Sequence, residues 1–223
     1  MDVKDLCDKL SIALSAGLYH RDRYNQRDRY SGYFSAAVLV PLILENNQLH
    51  LLFEVRSSHL SWQPGEICFP GGRIEATDSS LLSAAVRETT EELGLAKGQI
   101  QVLGSLYEVV SPIGVRLSPY VGYITDAHLI KPSPGEVSEV FTVPLEFLLT
   151  TEPTIGHMER GTRPLADFPF ELLPGYSDKW KSRKNYEVLF YKYNQYVIWG
   201  LTARVLHNFL EIYKENLVCC SLS

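Results

Sequence analysis

Three glutamates, Glu88, Glu91 and Glu92, lie close together in the segment RETTEELGL. If this segment is an α-helix, their i, i+3 and i+4 spacing makes the three carboxylates neighbours on its surface. Like charges at this spacing repel one another, and Arg87 can neutralise only part of the charge. Hard cations such as Mg²⁺ prefer several carboxylate oxygens, so a cation site is one interpretation of the pattern. An ordinary solvated helix face is the other.

The residues on either side of this segment mark the ends of the helix. A glycine pair, Gly71-Gly72, precedes it, and glycine allows a backbone carbonyl to approach an ion or a phosphate closely. One of residues 78–80, Asp-Ser-Ser, can accept hydrogen bonds from the first helical N–H groups. Gly94 suits the left-handed position that ends many helices. The sequence therefore predicts a loop, a helix and a second loop between Gly71 and Leu95.

The composition is typical of one globular domain. The chain has 223 residues, of which 45% are hydrophobic and 21% are charged, without repeats or low-complexity tracts. Its net charge of −5 argues against general binding of nucleic acids, but it is compatible with a small phosphate ester held through a metal. The four cysteines lack the spacing of a metal site, and we expect free thiols.

No segment of the sequence has the pattern of a membrane span. An apolar run would need roughly 20 residues to cross a bilayer, and the N-terminal segment is acidic and amphipathic. We therefore expect a cytoplasmic protein with neither a membrane nor a nucleic acid as its partner.

The hydrophobic pattern predicts a mixture of strands and helices that must position the glutamates. Residues 4–16 have apolar side chains at helical spacing, and the apolar run at 35–44 is typical of a buried strand. An antiparallel partner strand is expected across the Asn46-Asn47 turn. Near the C-terminus, residues 186–199 predict two aromatic-rich strands, and a helix follows them.

These elements predict one main domain with an extension and an insertion. We assign residues 1–34 to an N-terminal helical extension whose arginine-rich second half is expected to be a solvated linker. The main domain is expected at 35–218. Within it, residues 151–185 are rich in proline and glycine and fit neither the helical nor the strand period. We expect an insertion or a lid there.

The glycine pair and the glutamate segment resemble the Nudix box, the signature of hydrolases that act on nucleoside diphosphates linked to another moiety. The second half of the box is matched by Arg87, Glu88, Glu91, Glu92, Gly94 and Leu95. Three departures accompany the match: Gly72 lies one residue too far from Arg87, Ser79 replaces an early glutamate, and Thr89 replaces an aliphatic residue. The resemblance implies an α+β fold, the α/β/α Nudix sandwich, in which a mixed β-sheet lies between helices.

The segment LFEVRSSHLSWQPGEICFPGG resembles the upstream signature of the Nudix branch that cleaves coenzyme A. The matching residues are Leu52, Arg56, Ser57, Gly65, Phe69, Pro70, Gly71 and Gly72. Phe53 and Glu54 replace the usual Leu-Thr, and Ser61 stands where a second arginine is expected. The resemblance implies metal-dependent hydrolysis of the diphosphate bond of coenzyme A or acyl-CoA, giving 3′,5′-ADP and a 4′-phosphopantetheine product.

Two alternatives to this activity stay open from the sequence. The first is a Nudix pyrophosphatase for ADP-ribose, NADH or another nucleoside diphosphate derivative, which the neutral Ser61 favours. The second is a Nudix-like ligand-sensing module without catalysis. In either case the expected partner is a small nucleoside diphosphate derivative, and the chain is expected to be a monomer or a homodimer.

The resemblance also implies roles for individual residues. Glu88, Glu91, Glu92 and a carbonyl of Gly71 or Gly72 are expected to hold Mg²⁺ or Mn²⁺. Arg87 is expected to orient the carboxylates. The general base is either Glu91 or Glu136, a carboxylate in the Pro/Gly-rich loop before a strand. Because the carboxylates are expected on an exposed helix face, replacing Glu92 is expected to affect stability little.

Further residues are candidates for contacts with the substrate. Arg56, Gly71 and Arg116 are expected to contact its phosphates. The three tryptophans, Trp62, Trp180 and Trp199, are expected to be core or loop anchors, with Trp199 in the core.

Overall fold

The computed structural model describes residues 3–16, 33–112 and 114–218. The arginine-rich run, predicted to be a linker, falls almost entirely outside these residues, as do Cys219 and Cys220. The helices are α1 (Val3–Ala16), α2 (Leu81–Leu93), α3 (Leu145–Thr150) and α4 (Gly200–Tyr213), which continues as a π-helical turn, Lys214–Val218. The strands are β1 (Phe34–Glu45), β2 (Gln48–Arg56), β3 (Ile67–Cys68), β4 (Gly71–Arg73), β5 (Ile100–Ser105), β6 (Val109–Val110), β7 (Val115–Ile124), β8 (Val137–Pro144), β9 (Thr154–Thr162), β10 (Lys181–Tyr193) and β11 (Tyr196–Trp199).

A mixed sheet of eight strands forms the centre of the fold. Its main path runs β3-β2-β1-β7-β5, and β4, β6 and β8 pair with β1, β7 and β2 respectively. β1 and β7 are parallel, whereas the other pairs are antiparallel. Asn46 and Asn47 both have positive φ, 48° and 63°, as the tight turn between antiparallel strands requires. The predicted hairpin is confirmed.

Helices cover both faces of this sheet. On one face, Leu39 and Leu52 form a cluster with Leu93 of α2. On the other face, Phe53 belongs to a larger core that includes Phe209 of α4. The alternation along β2 explains this division, because successive side chains of a strand point to opposite faces. The predicted α+β sandwich with a mixed sheet between helices is confirmed.

The first helix is part of this core. Leu6, Leu10 and Leu14 of α1 are buried in the same cluster as Leu103 of β5. A Cβ atom at Gly104 would overlap the Leu14 side chain, so glycine permits the close approach of helix and strand. The assignment of residues 1–34 to a separate extension stays a prediction, but the helix within them packs as a core element.

The segment predicted as an irregular insertion contains regular structure. β9 lies wholly within residues 151–185 and pairs with β10, which begins there at Lys181. Together with β11 they form a second, three-stranded sheet in the order β11-β10-β9. The prediction that this segment fits no period is therefore wrong for its two ends. Several consecutive exposed polar residues on β9 and β10 hide the strand alternation in the sequence.

Two expectations from composition concern the thiols and the membrane. Among the described residues, Cys7 is buried and Cys68 partly buried, and both are free, as expected. Within the described ranges, no helix combines the length and the apolar character needed to cross a membrane.

Candidate active site

The helix that carries the glutamates begins and ends where the sequence predicts. The Ser80 hydroxyl accepts a hydrogen bond from the Ser83 N–H at 3.0 Å, and the Ser80 N–H donates to the Ser83 hydroxyl at 2.8 Å. This reciprocal cap satisfies donors that the first helical turn leaves open. Gly94 follows the helix at φ 64° and donates its N–H to the Thr90 carbonyl. Of the candidate caps, Ser80 is the one used.

The face of α2 that carries Glu92 is buried, contrary to the expected solvated face. The Glu92 residue is only 5% exposed, whereas the Glu91 side chain is 54% exposed. Thr89 is also fully buried and donates its hydroxyl hydrogen to the Ala85 carbonyl at 2.7 Å. The internal hydrogen bond explains how a threonine can stand at an aliphatic position. The expectation that Glu92 belongs to an exposed carboxylate face is wrong.

Arg87 gathers three carboxylates on the outer side of α2. Its guanidinium donates to both Asp78 oxygens at 3.1 and 3.0 Å. It also forms ion pairs with Glu88 and Glu91, each at 3.0 Å. The hydrogen bond from Arg87 lowers the pKa of Asp78. Asp78 therefore acts as a partner of Arg87, and the orienting role predicted for Arg87 has a geometric basis.

The glycine pair brings backbone next to the carboxylates. β4 pairs with β1, with Gly72 opposite Ala37, and the Gly71 N–H donates to Glu92 Oε2 at 2.8 Å. A Cβ atom at Gly72 would overlap the Glu88 carboxylate. Only glycine leaves room for this carboxylate beside the strand, and this close packing fits the backbone approach expected at a cation site.

A fourth glutamate, Glu54 on β2, was not predicted as a site residue. It is 1% exposed, and both of its carboxylate oxygens lack a hydrogen-bond donor among the described residues. Its position two residues after Leu52 places it on the α2 side of the sheet, facing Glu92. An acidic residue inside the apolar strand segment LHLLFEVR was the signal in the sequence that could have identified it.

The pKa values of this buried pair are raised for the same main reason. Burial, followed by the charge of Glu92, raises the pKa of Glu54 well above its usual range. Burial raises the pKa of Glu92 to about 7, against the lowering effect of the Gly71 N–H. Arg56 is the cation that lowers both pKa values. The pair is thus only partly compensated by positive charge.

A deep cleft of about 1130 Å³ opens beside these carboxylates. Both sheets and α4 contribute to its wall, and Trp199 of β11 lies in it with 39% of the residue exposed. The prediction of a core position for Trp199 is wrong, since the three-stranded sheet presents this ring to the cleft, and the ring stacks on Phe190.

Most of the predicted site residues meet in this cleft. Those that line it are Arg56, Gly71, Gly72, Glu88, Glu92 and Glu136. Arg87 and Glu91 lie beside it in their ion pair. Arg116 is not among the lining residues, because its neighbours Val115 and Leu117 occupy the cleft side of β7. Arg116 lies 3.8 Å from Glu108, and its proposed phosphate contact stays a prediction.

The two candidate acids of the 136–139 region have different neighbours. Glu136 is exposed at the cleft, and its backbone carbonyl accepts the Ser57 N–H at 2.8 Å. Glu139 instead accepts a hydrogen bond from the Tyr196 hydroxyl. Glu136 is therefore the acid that can reach a ligand in the cleft.

The side chains at this site are of the types that bind a divalent cation, although their oxygen atoms do not converge on one position. Within the described ranges, no three His, Cys, Asp or Glu side chains are already arranged as a closed ligand set. Arg87 holds Glu88, and the Gly71 N–H holds Glu92. The oxygen donors, the buried Glu54 without a donor and the space at Gly72 are nevertheless the features that Mg²⁺ or Mn²⁺ requires.

The chain belongs to the Nudix family of hydrolases, because the NUDIX domain profile matches residues 34–160, more than half of the chain. The predicted Nudix resemblance and the assignment as an enzyme are confirmed. The roles predicted for individual residues of the glycine turn and α2 stay predictions.

Several curated relatives are similar to this chain. It is 37% identical to the peroxisomal coenzyme A diphosphatase NUDT7 of Mus musculus over 132 residues, which are 59% of this chain and 55% of that protein. The chain thus matches only about half the length of this relative. It is 32% identical to the uncharacterized Nudix hydrolase NudL of Photorhabdus laumondii over 79% of this chain and 83% of that protein. The similarity to a coenzyme A branch is confirmed at the level of sequence.

Solved Nudix structures align with parts of the chain. The Nudix hydrolase RenU of M. smegmatis aligns at a TM-score of 0.43 and 22% identity, covering 51% of this chain and 71% of that one. The NUDIX domain of Shewanella oneidensis NrtR, solved with ADP ribose, aligns at a TM-score of 0.44 and 21% identity, covering 58% of this chain and 84% of that one.

Proposed function

We propose that this Nudix hydrolase cleaves the diphosphate bond of coenzyme A or acyl-CoA, giving 3′,5′-ADP and a 4′-phosphopantetheine product. The observation that carries the proposal is the continuity of the cleft. It reaches from the carboxylates of α2 to apolar side chains of the second sheet and α4, among them Val188, Trp199 and Leu201. Coenzyme A has a central diphosphate and a long, weakly polar arm, so one molecule would contact both regions.

Basic side chains along the cleft support binding of a polyanion. The cleft is lined by Arg56, Arg73, Lys184 and Arg204. A charged phosphate gains most from arginine, whose planar group can donate two parallel hydrogen bonds. The similarity to the mouse coenzyme A diphosphatase adds support, limited to the aligned part of that protein.

In this proposal the carboxylates of α2 hold Mg²⁺ or Mn²⁺ together with the Gly72 backbone. A bound divalent cation supplies charge neutralisation at the diphosphate and makes an attacking water more acidic. Arg87 positions Glu88 through their ion pair. Glu136 is the general base, because it lines the cleft and its charge acts on both Glu88 and Glu92. Glu91 is a weaker candidate, since Arg87 holds it outside the cleft wall.

One residue, Ser61, supports a second class of substrate as the alternative to coenzyme A. Ser61 lines the cleft at the position where the coenzyme A signature has an arginine, so the positive charge of that arginine is missing there. The neutral side chain favours a substrate without a 3′-phosphate, such as ADP-ribose or NADH. The exposed ring of Trp62 nearby offers a stacking surface for a base in either case.

Product analysis by chromatography distinguishes the two classes. The protein and its Glu92→Gln variant would be incubated with Mn²⁺ and, separately, with coenzyme A, ADP-ribose and NADH. Release of 3′,5′-ADP from coenzyme A by the parent alone is the expected result. Cleavage of only ADP-ribose or NADH would reassign the substrate, and activity retained in the variant would refute the assignment of the α2 site. Failure to cleave all three would direct the assay to nucleotide substrates, and only after them to the non-catalytic, ligand-sensing alternative.

A further inference from the structure

We propose that Glu54 is an additional carboxylate ligand, supplied by β2, for the cation held by Glu88 and Glu92. The inference rests on the proposed metal-dependent function and adds a residue outside the Nudix box. A ligand from the sheet would clamp the cation between the core strand and α2.

The first step of the argument is the burial of Glu54 without a donor. The residue is 1% exposed, and both oxygens lack a hydrogen-bond donor among the described residues. A buried carboxylate without such a partner destabilises the fold, because the charge loses its water without gaining a replacement. Structural carboxylates in this protein are treated differently: Asp78, for example, receives two hydrogen bonds from Arg87.

The second step is the direction in which Glu54 points. Leu52 lies on the α2 side of the sheet, and strand alternation places Glu54 on that same side. The carboxyl group it meets there is that of Glu92. Glu92 is held in place on its other side by the Gly71 N–H. Two carboxylates thus converge beside the turn where Gly72 leaves room for a third, Glu88.

The third step is that Arg56, the neighbouring basic residue, is not the partner of the Glu54 carboxylate. Arg56 is two residues along β2, and its Nε donates to the Trp62 carbonyl at 3.4 Å. The described residues show no ion pair between Arg56 and Glu54, and neither Glu54 oxygen accepts a hydrogen bond from the guanidinium. A hard divalent cation, which binds several carboxylate oxygens at once, is the group that compensates such a cluster.

Calorimetric titration of the metal-free protein with Mn²⁺ tests this ligand directly. In the Glu54→Gln variant, the new side chain keeps the shape of glutamate and can still donate a hydrogen bond to Glu92, but it carries no charge. We expect this variant to bind Mn²⁺ at least about tenfold more weakly, the smallest loss usual for groups supporting a metal site. The matched control is Glu146→Gln, which removes the same charge from an exposed position on α3 and should bind as the parent does. Binding by Glu54→Gln within about twofold of the parent would overturn the proposal.

Thermal unfolding with and without Mn²⁺ gives a second measurement that is independent of turnover. Metal-free Glu54→Gln should melt no lower than the parent, and added Mn²⁺ should raise its melting temperature less than it raises that of the parent. Glu54→Thr, with a β-branched residue suited to a strand, is the second variant if glutamine prevents folding. A melting shift equal to that of the parent in a folded variant contradicts the proposal.

The outcomes separate this inference from the proposed function. If the parent cleaves coenzyme A and the folded Glu54 variants bind Mn²⁺ normally, the role of Glu54 is refuted and the function stands. If the variants lose Mn²⁺ binding and the parent cleaves no coenzyme A, Glu54 is a ligand and the substrate is wrong. If the parent binds no Mn²⁺, the ligand role of Glu54 is refuted.

Discussion

The outer and inner sides of α2 carry the same acidic residue type in opposite situations. On the outer side, Glu91 is 54% exposed and pairs with Arg87, which also holds Asp78 and Glu88. On the inner side, Glu92 is buried against Glu54, and its carboxylate accepts the Gly71 N–H. Each outer carboxylate contacts the Arg87 guanidinium directly, whereas no ion pair joins Glu54 or Glu92 to a cation among the described residues.

This difference separates carboxylates that an arginine already compensates from those that we propose a cation compensates. A pair such as Arg87–Asp78 fixes the loop before α2 to the helix and is favourable in the free protein. Two adjacent buried carboxylates are unfavourable in the free protein and become favourable only when a cation joins them. Removing residues from the two sides should therefore have opposite effects on stability and on turnover.

The largest expected effect follows from Glu92→Gln. Turnover should fall by more than the roughly 100-fold seen when an outer partner of a metal ligand is lost. Stability should stay unchanged or rise, because glutamine still accepts the Gly71 N–H and removes a buried charge. Steady-state kinetics and chemical denaturation measure both quantities. Glu91→Gln, on the exposed side that pairs with Arg87, should lose less activity. An equal loss in the two variants would show that the inner and outer glutamates do not differ in their contribution to turnover.

The next largest effect is a loss of turnover when Gly72, which packs against the Glu88 carboxylate, is replaced. A Cβ atom at Gly72 would overlap the Glu88 carboxylate and displace it. Because a displacement of about 1 Å can reduce a rate roughly 100-fold, Gly72→Ala should lower kcat by between about tenfold and that value. Gly98→Ala is the control, since a Cβ atom there meets no neighbour within 4 Å. If Gly72→Ala turns over at the rate of the control, Glu88 has no fixed role.

A moderate loss of stability is expected when the outer cluster is broken. Arg87→Ala removes charged hydrogen bonds to the nearly buried Asp78 side chain, and should lower the free energy of unfolding by about 1 to 3 kcal/mol. Arg87 lowers the pKa of Asp78, so this stabilisation exists above the usual aspartate pKa near 3.8 and disappears as the pH falls below it. Urea denaturation at neutral pH and near pH 3 measures the change.

The control for this variant is an exposed ion pair elsewhere. Lys9 lies 2.9 Å from Asp5 on α1, with both side chains about half exposed, so Lys9→Ala should change stability by no more than about 1 kcal/mol. If Arg87→Ala destabilises the protein no more than Lys9→Ala does, the outer cluster contributes no more to the free energy of unfolding than an ordinary exposed ion pair.

The smallest expected effect is the pH dependence of the metal-free protein. The pKa of Glu92 is raised in the folded state from its usual 4.5 to about 7, so the folded protein binds a proton that the unfolded chain releases in this range. This group favours the folded state below pH 4.5, and that contribution is lost as the pH rises through 7. Between pH 5 and 6, Glu92→Gln should gain on the order of 1 kcal/mol relative to the parent, since one pKa unit corresponds to about 1.4 kcal/mol. A constant difference across this range would mean that Glu92 titrates normally.

The chemistry on α2 could be read from the sequence because it depends on local spacing. Ser80, Gly94 and the glutamates all act within a few residues of one another, and helix geometry alone relates them. The strand pair around Asn46-Asn47 was likewise visible as two apolar runs across a short turn. In these regions local propensity and the final structure agree.

The predictions failed where contacts between distant segments decide the outcome. Trp199 was placed in the core because its segment is apolar, but the second sheet turns it toward the cleft. β9 and the beginning of β10 were missed because their hydrogen bonds join residues far apart in sequence.

The sequence by itself determined the Nudix helix, its two ends, the glycine turn and the mixed sheet that supports them. Only the tertiary structure decided that Glu92 faces inward, that Glu54 meets it from β2 and that Glu136, with Glu139 hydrogen-bonded elsewhere, lines the cleft. The physical reason is that helical spacing fixes angles around one axis, while burial and charge compensation depend on which other element covers each face.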